Sequence, residues 1–333
     1  MAEKVIHFSM KSDYDDFFAG KKTLVTGGTG LIGRAIVKYL CDAGANVTSV
    51  SLDNLNTDSR AHHLNLDLTQ FSNCLQLTDG IDYVFHVAGI KGSIEVTKSK
   101  PASFFVPLLM FNTNVLEASR INNIKKVFFP SSIAVFGDKA PLTNTPQSAF
   151  LNPSTVYGIS KAAGENWAQY YFTKYGLDIR SIRYPGIIGY QSMPGGGTTD
   201  YAVDIYHSAV KNEVFSCFLD SETKLPMMFM NDAVRSTIEL MQSPIENMNT
   251  RTSYNLAGMS FSPNEIYKEI KKSYPSFKIE YNIDSRQTIA DKWPKSIDDN
   301  EARNDWGWKP KYNLTTMTSI MLEKLKEKYN KTD

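Results

Sequence analysis

The chain has 333 residues, 42% of them hydrophobic, with 36 Lys and Arg against 35 Asp and Glu for a net charge of +1. That balance leaves no electrostatic footprint for nucleic acid or an anionic membrane. The most apolar run, 104–111, is too short to span a bilayer and contains Pro107. Three scattered cysteines, Cys41, Cys74 and Cys217, argue for reduced thiols in a cytoplasmic protein rather than a disulfide framework. The histidines and cysteines show no zinc-site spacing, so no metal is expected.

Residues 1–20 read as an irregular arm or a short helix. Thr23-Leu24-Val25-Thr26 is a short apolar strand that runs into Gly27-Gly28-Thr29-Gly30-Leu31-Ile32-Gly33. Ile32, Ile36, Tyr39, Leu40 and Ala43 then form a stripe of helical period, and Gly44 stops it. A second strand covers 47–52. Strand, Gly-rich turn, helix and strand in this order turn a glycine pattern into a dinucleotide fingerprint. Gly27, Gly30 and Gly33 permit a tight turn and a close approach of backbone to pyrophosphate. The phosphate charge then sits at the helix N-terminus, beside Leu31 and Ile32.

The acid that holds an adenosine ribose belongs at the end of the second strand. That position falls on Ser51, and Asp53 is the nearest carboxylate. Asp53 reaching the 2′-hydroxyl selects NAD; Ser51 with Arg60 would instead tolerate a 2′-phosphate. The expected cofactor is NAD. Residues 64–69 read as a third strand, with Asp67 and Leu68 placed for an adenine edge. Residues 83–89 are a fourth strand entering a small-residue turn at Ala88, beside the cofactor. Residues 111–122 are helical and 127–130 form a fifth strand. Apolar strands alternating with helices predict an α/β fold with a doubly wound parallel sheet of Rossmann type.

Ser132 stands at the carboxyl end of the fifth strand, where open α/β sheets carry their chemistry. Tyr157 and Lys161, four apart, share one helix face. A free phenol has a pKa of about 10. A neighbouring ammonium favours the phenolate and lowers that value, which suits the pair to take a proton from an alcohol. A sixth strand, 179–182, leads to Arg183-Tyr184-Pro185-Gly186, where Tyr184 and Pro185 would pass under a nicotinamide; an ordinary strand-to-loop turn is the plainer alternative.

Beyond Pro185 the composition shifts. Gly195-Gly196-Gly197-Thr198-Thr199 offers backbone N–H groups and two hydroxyls to a small carboxylate or amino acid, or is simply a loop entering the next helix. Residues 225–230 read as a buried strand, and Asn231-Asp232 opens a helix running to Met241. Trp293 lies in a polar stretch, where a lone tryptophan is ordinarily packing. The expected division is a cofactor domain of 20–186, rejoined by 227–257, and a smaller substrate-binding region of 187–226 and 258–330.

Taken together, Gly27-x-x-Gly30-x-x-Gly33, Ser132, Tyr157-x-x-x-Lys161 and the closing Trp306-Gly307-Trp308-x-Pro310 resemble the extended short-chain dehydrogenase/reductase family, over about 20–315. After a seam near Val127 the chain resembles the short-chain type of L-threonine 3-dehydrogenase. The segments that carry this are 153–161, 183–186, 195–201, 225–228, 252–261, 290–294 and 298–308. Before the seam, residues 28–33, 86–92 and 100–114 resemble nucleotide-sugar epimerases and dehydratases. The resemblance implies NAD-dependent oxidation of L-threonine to 2-amino-3-oxobutanoate, with Ser132, Tyr157 and Lys161 as the catalytic set. It implies substrate contacts from Ser93, Ser132, Tyr157, Gly197, Thr198, Thr199 and Trp293. It also implies a homodimer through helices near 104–122 and 161–175. The alternative is an NAD-dependent nucleotide-sugar 4-epimerase or dehydratase. Such enzymes commonly carry an Arg-Asp pair where this chain has Leu225-Pro226.

Overall fold

The computed structural model describes residues 16–90, 100–191 and 193–330. Strands β1 (Lys22–Thr26), β2 (Asn46–Ser51), β3 (His62–Asn65), β4 (Tyr83–His86), β5 (Lys126–Ser132) and β6 (Ile179–Tyr184) build the main sheet. Six short strands follow: β7 (Gly186–Ile188), β8 (Phe215–Cys217), β9 (Leu225–Phe229), β10 (Tyr254–Asn255), β11 (Met259–Phe261) and β12 (Ile279–Tyr281). The main sheet has the order β10-β6-β5-β4-β1-β2-β3, and every neighbour in it is parallel. The order reverses between β1 and β4. In an open α/β sheet that reversal opens a crevice at the carboxyl ends of the strands.

Helices α1 (Leu31–Asp42), α2 (Phe71–Thr78), α3 (Pro101–Ile121) and α4 (Val156–Tyr175) belong to the sheet half. They are followed by α5 (Tyr201–Val210), α6 (Met230–Gln242), α7 (Pro263–Lys271), α8 (Arg286–Ala290), α9 (Asn300–Trp306) and α10 (Leu314–Asn330). Parallel strands are buried on both faces, and the residues obey that rule. Val25, Phe85, Phe128 and Ile182 pack with Ile36 and Leu40 of α1 and Ile238 and Met241 of α6. From the other face Leu24, Val84, Val127 and Phe129 pack with Leu108, Phe111 and Val115 of α3. A third apolar cluster joins Tyr201, Tyr206, Met227, Phe229, Phe261, Ile266, Met321 and Leu325 in the C-terminal part of the chain.

Two elements differ from their sequence reading. The third strand is His62–Asn65 rather than 64–69, because Thr48–Ser51 pair with 62–65. Asp67 then accepts from the N–H and hydroxyl of Thr69 and turns the chain into α2. Helix α3 begins ten residues before the predicted 111, with Pro101 in its first turn, where a missing N–H costs nothing. Near the end of the chain, Trp308 returns to the main core and donates to the Ala257 carbonyl at 3.1 Å. Asp232 of α6 accepts from the N–H groups of Lys311 and Tyr312, strapping this segment down. Among the described residues no helix is long and apolar enough to cross a membrane.

Candidate active site

The crevice is floored by the turn after β1. Gly27 has φ +70, and a Cβ there would meet Ala88 Cα at 2.6 Å, so the β1 turn and the loop after β4 touch through backbone alone. A Cβ on Gly33 would strike the Gly27 carbonyl oxygen at 2.1 Å. Gly30 caps α1 without any side-chain acceptor, which leaves the first-turn N–H groups to an anion. Arg34 donates to the carbonyls of Thr29 (2.7 Å) and Gly30 (3.3 Å) and holds the turn from behind. Leu31 and Ile32 open α1, both half-buried.

At the adenosine end, the Asp53 carboxylate accepts from the Thr29 hydroxyl at 2.8 Å, and the Ser51 hydroxyl accepts from the Thr29 N–H at 3.2 Å. Asp53 is thus bound to the Gly-rich turn although it lies beyond the end of β2. Arg60, the residue that would have accommodated a 2′-phosphate, is instead paired with Asp58 and Asp42. Asp67 is exposed beyond β3, whereas Leu68 is buried in the core and offers little side-chain surface to an adenine.

Beneath the loop after β4 lies a buried relay. The Ala88 N–H donates to Thr26 Oγ1 (3.2 Å), the Thr26 hydroxyl meets His86 Nδ1 (2.7 Å), and His86 Nε2 meets Asn112 Oδ1 (2.9 Å). An N–H at Nε2 and an acceptor at Nδ1 satisfy all three contacts. Burial drives the His86 pKa down to about 4, which keeps the ring neutral. Sequence reasoning did not single out this relay; a histidine closing an apolar strand beside the expected cofactor loop was the available signal.

Ser132 ends β5 and caps the short turn Ile133–Val135 by accepting from the Ala134 N–H. Thr155 caps α4 by accepting from the Gly158 N–H at 3.0 Å. Gly158 then lets the helix lie against that turn, since a Cβ would sit 2.1 Å from the Ala134 carbonyl oxygen. One turn and a half later, Gly164 rests on the Phe129 ring in the same way, at 2.2 Å. These two glycines bring Tyr157 beside Ser132, whose hydroxyl favours the phenolate. Lys161 lies 5.6 Å from the Tyr157 ring centre and donates to the Pro130 carbonyl at 2.7 Å.

The electrostatics differ from the sequence expectation. Burial raises the Tyr157 pKa, the Ser132 hydrogen bond opposes that rise, and Lys161 does not lower it. Lys161 itself is pushed down to about 8 by burial, because its ammonium has been taken from water. Geometry explains this: the ammonium is turned to a backbone carbonyl rather than to the phenol.

Pro185 links β6 to β7. The Tyr184 side chain points away from the crevice into the core, against Phe128, and its hydroxyl bonds Thr237 and the Ala233 carbonyl. Gly186 leaves room for Thr199, whose Cγ2 would be 2.7 Å from a Cβ there, so the Gly-rich loop packs on the β6–β7 turn. That loop is not an open set of donors. Asp200 Oδ2 accepts from the N–H of Gly195 (2.7 Å) and of Gly197 (2.8 Å), and Thr198 is buried. Gly197 therefore shapes the loop and has no N–H left for a carboxylate. Trp293 packs both on the C-terminal cluster and on the cluster of Ile133, Val135 and Phe136 just after Ser132. Ser93 lies outside the described residues.

The model of the NAD dependent epimerase/dehydratase family matches residues 23–257 and runs unbroken across Val127. An uncharacterized epimerase/dehydratase of Staphylococcus aureus is 39% identical over 322 residues, 92% of this chain and 98% of its own. The chain belongs to the NAD dependent epimerase/dehydratase family. Its two halves are one contiguous family unit, despite their different resemblances. Among solved structures, the holo form of a GalE-like L-threonine dehydrogenase from Cupriavidus necator superposes with TM-score 0.88 at 42% identity, covering 91% of this chain and 99% of the other. The L-threonine dehydrogenase of Phytophthora infestans gives 0.87 at 38% identity, with 92% and 100% covered. The fold is Rossmann-like, and the protein is an NAD-dependent oxidoreductase. The site fits the dinucleotide: glycines whose Cβ would close the cradle, an uncapped helix N-terminus and an acid bound to the turn.

Proposed function

We propose that this family member is an L-threonine 3-dehydrogenase that oxidises the β-hydroxyl of L-threonine to 2-amino-3-oxobutanoate. The observation that carries the reading is the packing of α4 on the turn after Ser132, which brings half-buried Ser132, exposed Tyr157 and buried Lys161 together at the crevice. Whole-length likeness to solved threonine dehydrogenases supports threonine as the substrate. Bound NAD supplies the hydride acceptor. Tyr157, as phenolate, takes the hydroxyl proton; Ser132 orients that hydroxyl; Lys161 contributes positive charge and a donor to the cofactor ribose. Asp53 would hold the ribose 2′-hydroxyl at the other end, and Gly27, Gly30, Gly33, Ala88 and Pro185 would contact the bound dinucleotide. Thr198 and Thr199 line the amino-acid site, with Trp293 closing it.

The test is NADH formation by purified protein with NAD and L-threonine, repeated with NADP. Turnover with NAD and threonine supports the reading. Silence in folded, NAD-binding protein, together with saturable binding of UDP or GDP, would replace it with nucleotide-sugar epimerase or dehydratase. The family name favours that second reading, while Leu225-Pro226 weighs against it by leaving no bidentate phosphate anchor at the start of β9.

Two finer points belong to the same reading. Val106 and Met110 on α3 and Tyr170 and Tyr175 on α4 are large exposed apolar or aromatic residues. We take these helices as the face of a homodimer; light scattering on Met110→Glu should then show monomer. Three free cysteines, all buried, suit a cytoplasmic setting.

A further inference from the structure

Four segments carry the candidate site: the end of β5, helix α4, the end of β6 and the stretch around Trp293. Three of them meet at one buried ion pair, and the fourth is tied to it through Asn255. Glu165 is on the Tyr157 and Lys161 face of α4, at the i, i+4, i+8 spacing, and is wholly buried. It accepts from the Ser131 hydroxyl at 2.5 Å, from Arg183 Nε at 3.0 Å and from Arg183 Nη2 at 2.7 Å. Arg183, 4% exposed at the side chain, uses Nη1 to reach the Gln147 carbonyl (3.0 Å) and Asn255 Oδ1 (3.1 Å). Asn255 in turn donates to the carbonyls of Thr145 and Asp298, both at 3.1 Å. Ser131 is the neighbour of Ser132, and Arg183 precedes Tyr184 and Pro185.

We propose that Glu165 and Arg183 are positioning residues of the reaction. The pair sets where Ser132, Tyr157 and Lys161 stand relative to the β6–β7 turn and the Trp293 segment. This inference rests on the dehydrogenase reading. Stability alone is a poor reason for the pair, because a buried ion pair often does no better than apolar residues of similar volume. Directionality is the better reason. Fixed donors and acceptors hold four chain segments at set distances, which greasy contacts do not, and a misplacement of about 1 Å costs a reaction about 10²-fold.

The test uses full-length protein and the double variant Glu165→Met/Arg183→Met, which removes both charges and leaves neither stranded. The expected result is a melting temperature near the parent's, an NAD Kd within about threefold and a kcat lower by about 10²-fold. Hydrogen exchange should quicken in peptides covering 131–136, 145–147, 155–165, 183–188 and 293–299, with β1 and β2 unchanged. A folded double variant with kcat within about threefold of parent would overturn the proposal. If the double variant does not fold, Glu165→Asp decides: it keeps the charge but shortens the arm. A loss of about tenfold in kcat with NAD affinity intact supports positioning, and unchanged kcat refutes it. If the parent itself does not oxidise threonine, the substrate reading fails separately. Exchange then decides this inference, confined to the named segments if it is right and uniform or unaltered if it is wrong.

Discussion

The surroundings of Ser132 and the apolar cluster in the C-terminal part of the chain both contain many buried side chains, yet they are held together differently. Around Ser132 a set of polar and charged groups is buried among the apolar ones: Thr26, His86, Asn112, Ser131, Lys161, Glu165 and Arg183. In the C-terminal part the cluster is aromatic and aliphatic, and its polar tips pair between helices distant in sequence, as Tyr206 does with Thr318 and His207 with Tyr329. The first region places atoms by directional bonds and by glycine contacts that admit no Cβ. The second fills volume, which tolerates substitution and lets a pocket change its lining.

The sharpest break of this contrast is Tyr157→Phe. It should lower turnover by about 10²–10⁴-fold, the usual scale of general-base loss, with thermal melting unchanged. Near-parent rates would remove the tyrosine from the mechanism. Next is a pair of glycines. Gly164→Ala puts a methyl 2.2 Å from the Phe129 ring, and overpacking of this kind costs about 1–3 kcal/mol, partly offset by better helix propensity. Gly195→Ala meets nothing nearer than Asp200 at 3.8 Å and should stay within about 0.5 kcal/mol of parent. Equal melting temperatures for the two would erase the distinction between the regions.

The pH dependence sharpens the comparison further. Burial pushes Lys161 down to about 8, so any positive charge it lends the reaction is lost above that value. Burial holds the Tyr157 phenol above its ordinary range, and the oxidation rate should therefore climb through alkaline pH. Lys161→Met should depress the rate most below pH 8, with the gap narrowing above it. A loss equal at every pH would mean that the lysine acts only by holding the ribose.

The smallest effect concerns two histidines, one in each region. The pKa values of His86 and His207 are both pushed down to about 4 by burial. From about 6.5 down to about 4 the unfolded chain binds a proton at each that the fold refuses, so stability present above 6.5 is lost as pH falls. His86→Gln should remove one of these two protons from the slope. Urea midpoints at pH 7 and pH 5 measure it, and an unchanged acid slope would show that His86 already exchanges protons in the fold.

Much of the cofactor half was readable in order along the chain. The β1 turn, α1 and β2 are local, set by glycines, by helical period and by strand-forming residues within one short stretch. Tyr157 and Lys161 were readable for the same reason, since helix spacing alone puts them on one face. The third strand was misplaced because its bounds follow from pairing with β2, which is not local. Gly197 was read as a donor, but Asp200 takes that donor, and a hydrogen bond across three residues competes unseen in a composition. Tyr184 was read as a cofactor contact, but the strand's alternation turns its side chain into the core.

By itself the sequence determined the doubly wound parallel sheet, the dinucleotide turn and the helix spacing that puts Tyr157 and Lys161 on one face, because each rests on local spacing or on a pattern of short range. Only the tertiary structure decided which groups those residues meet. It turned Lys161 to the Pro130 carbonyl, engaged Arg60 with two aspartates, bound Asp53 to Thr29 and joined Ser131, Glu165 and Arg183 across fifty residues of chain. Partner choice among polar groups depends on burial and on the nearest available donor, and both are properties of the packed chain.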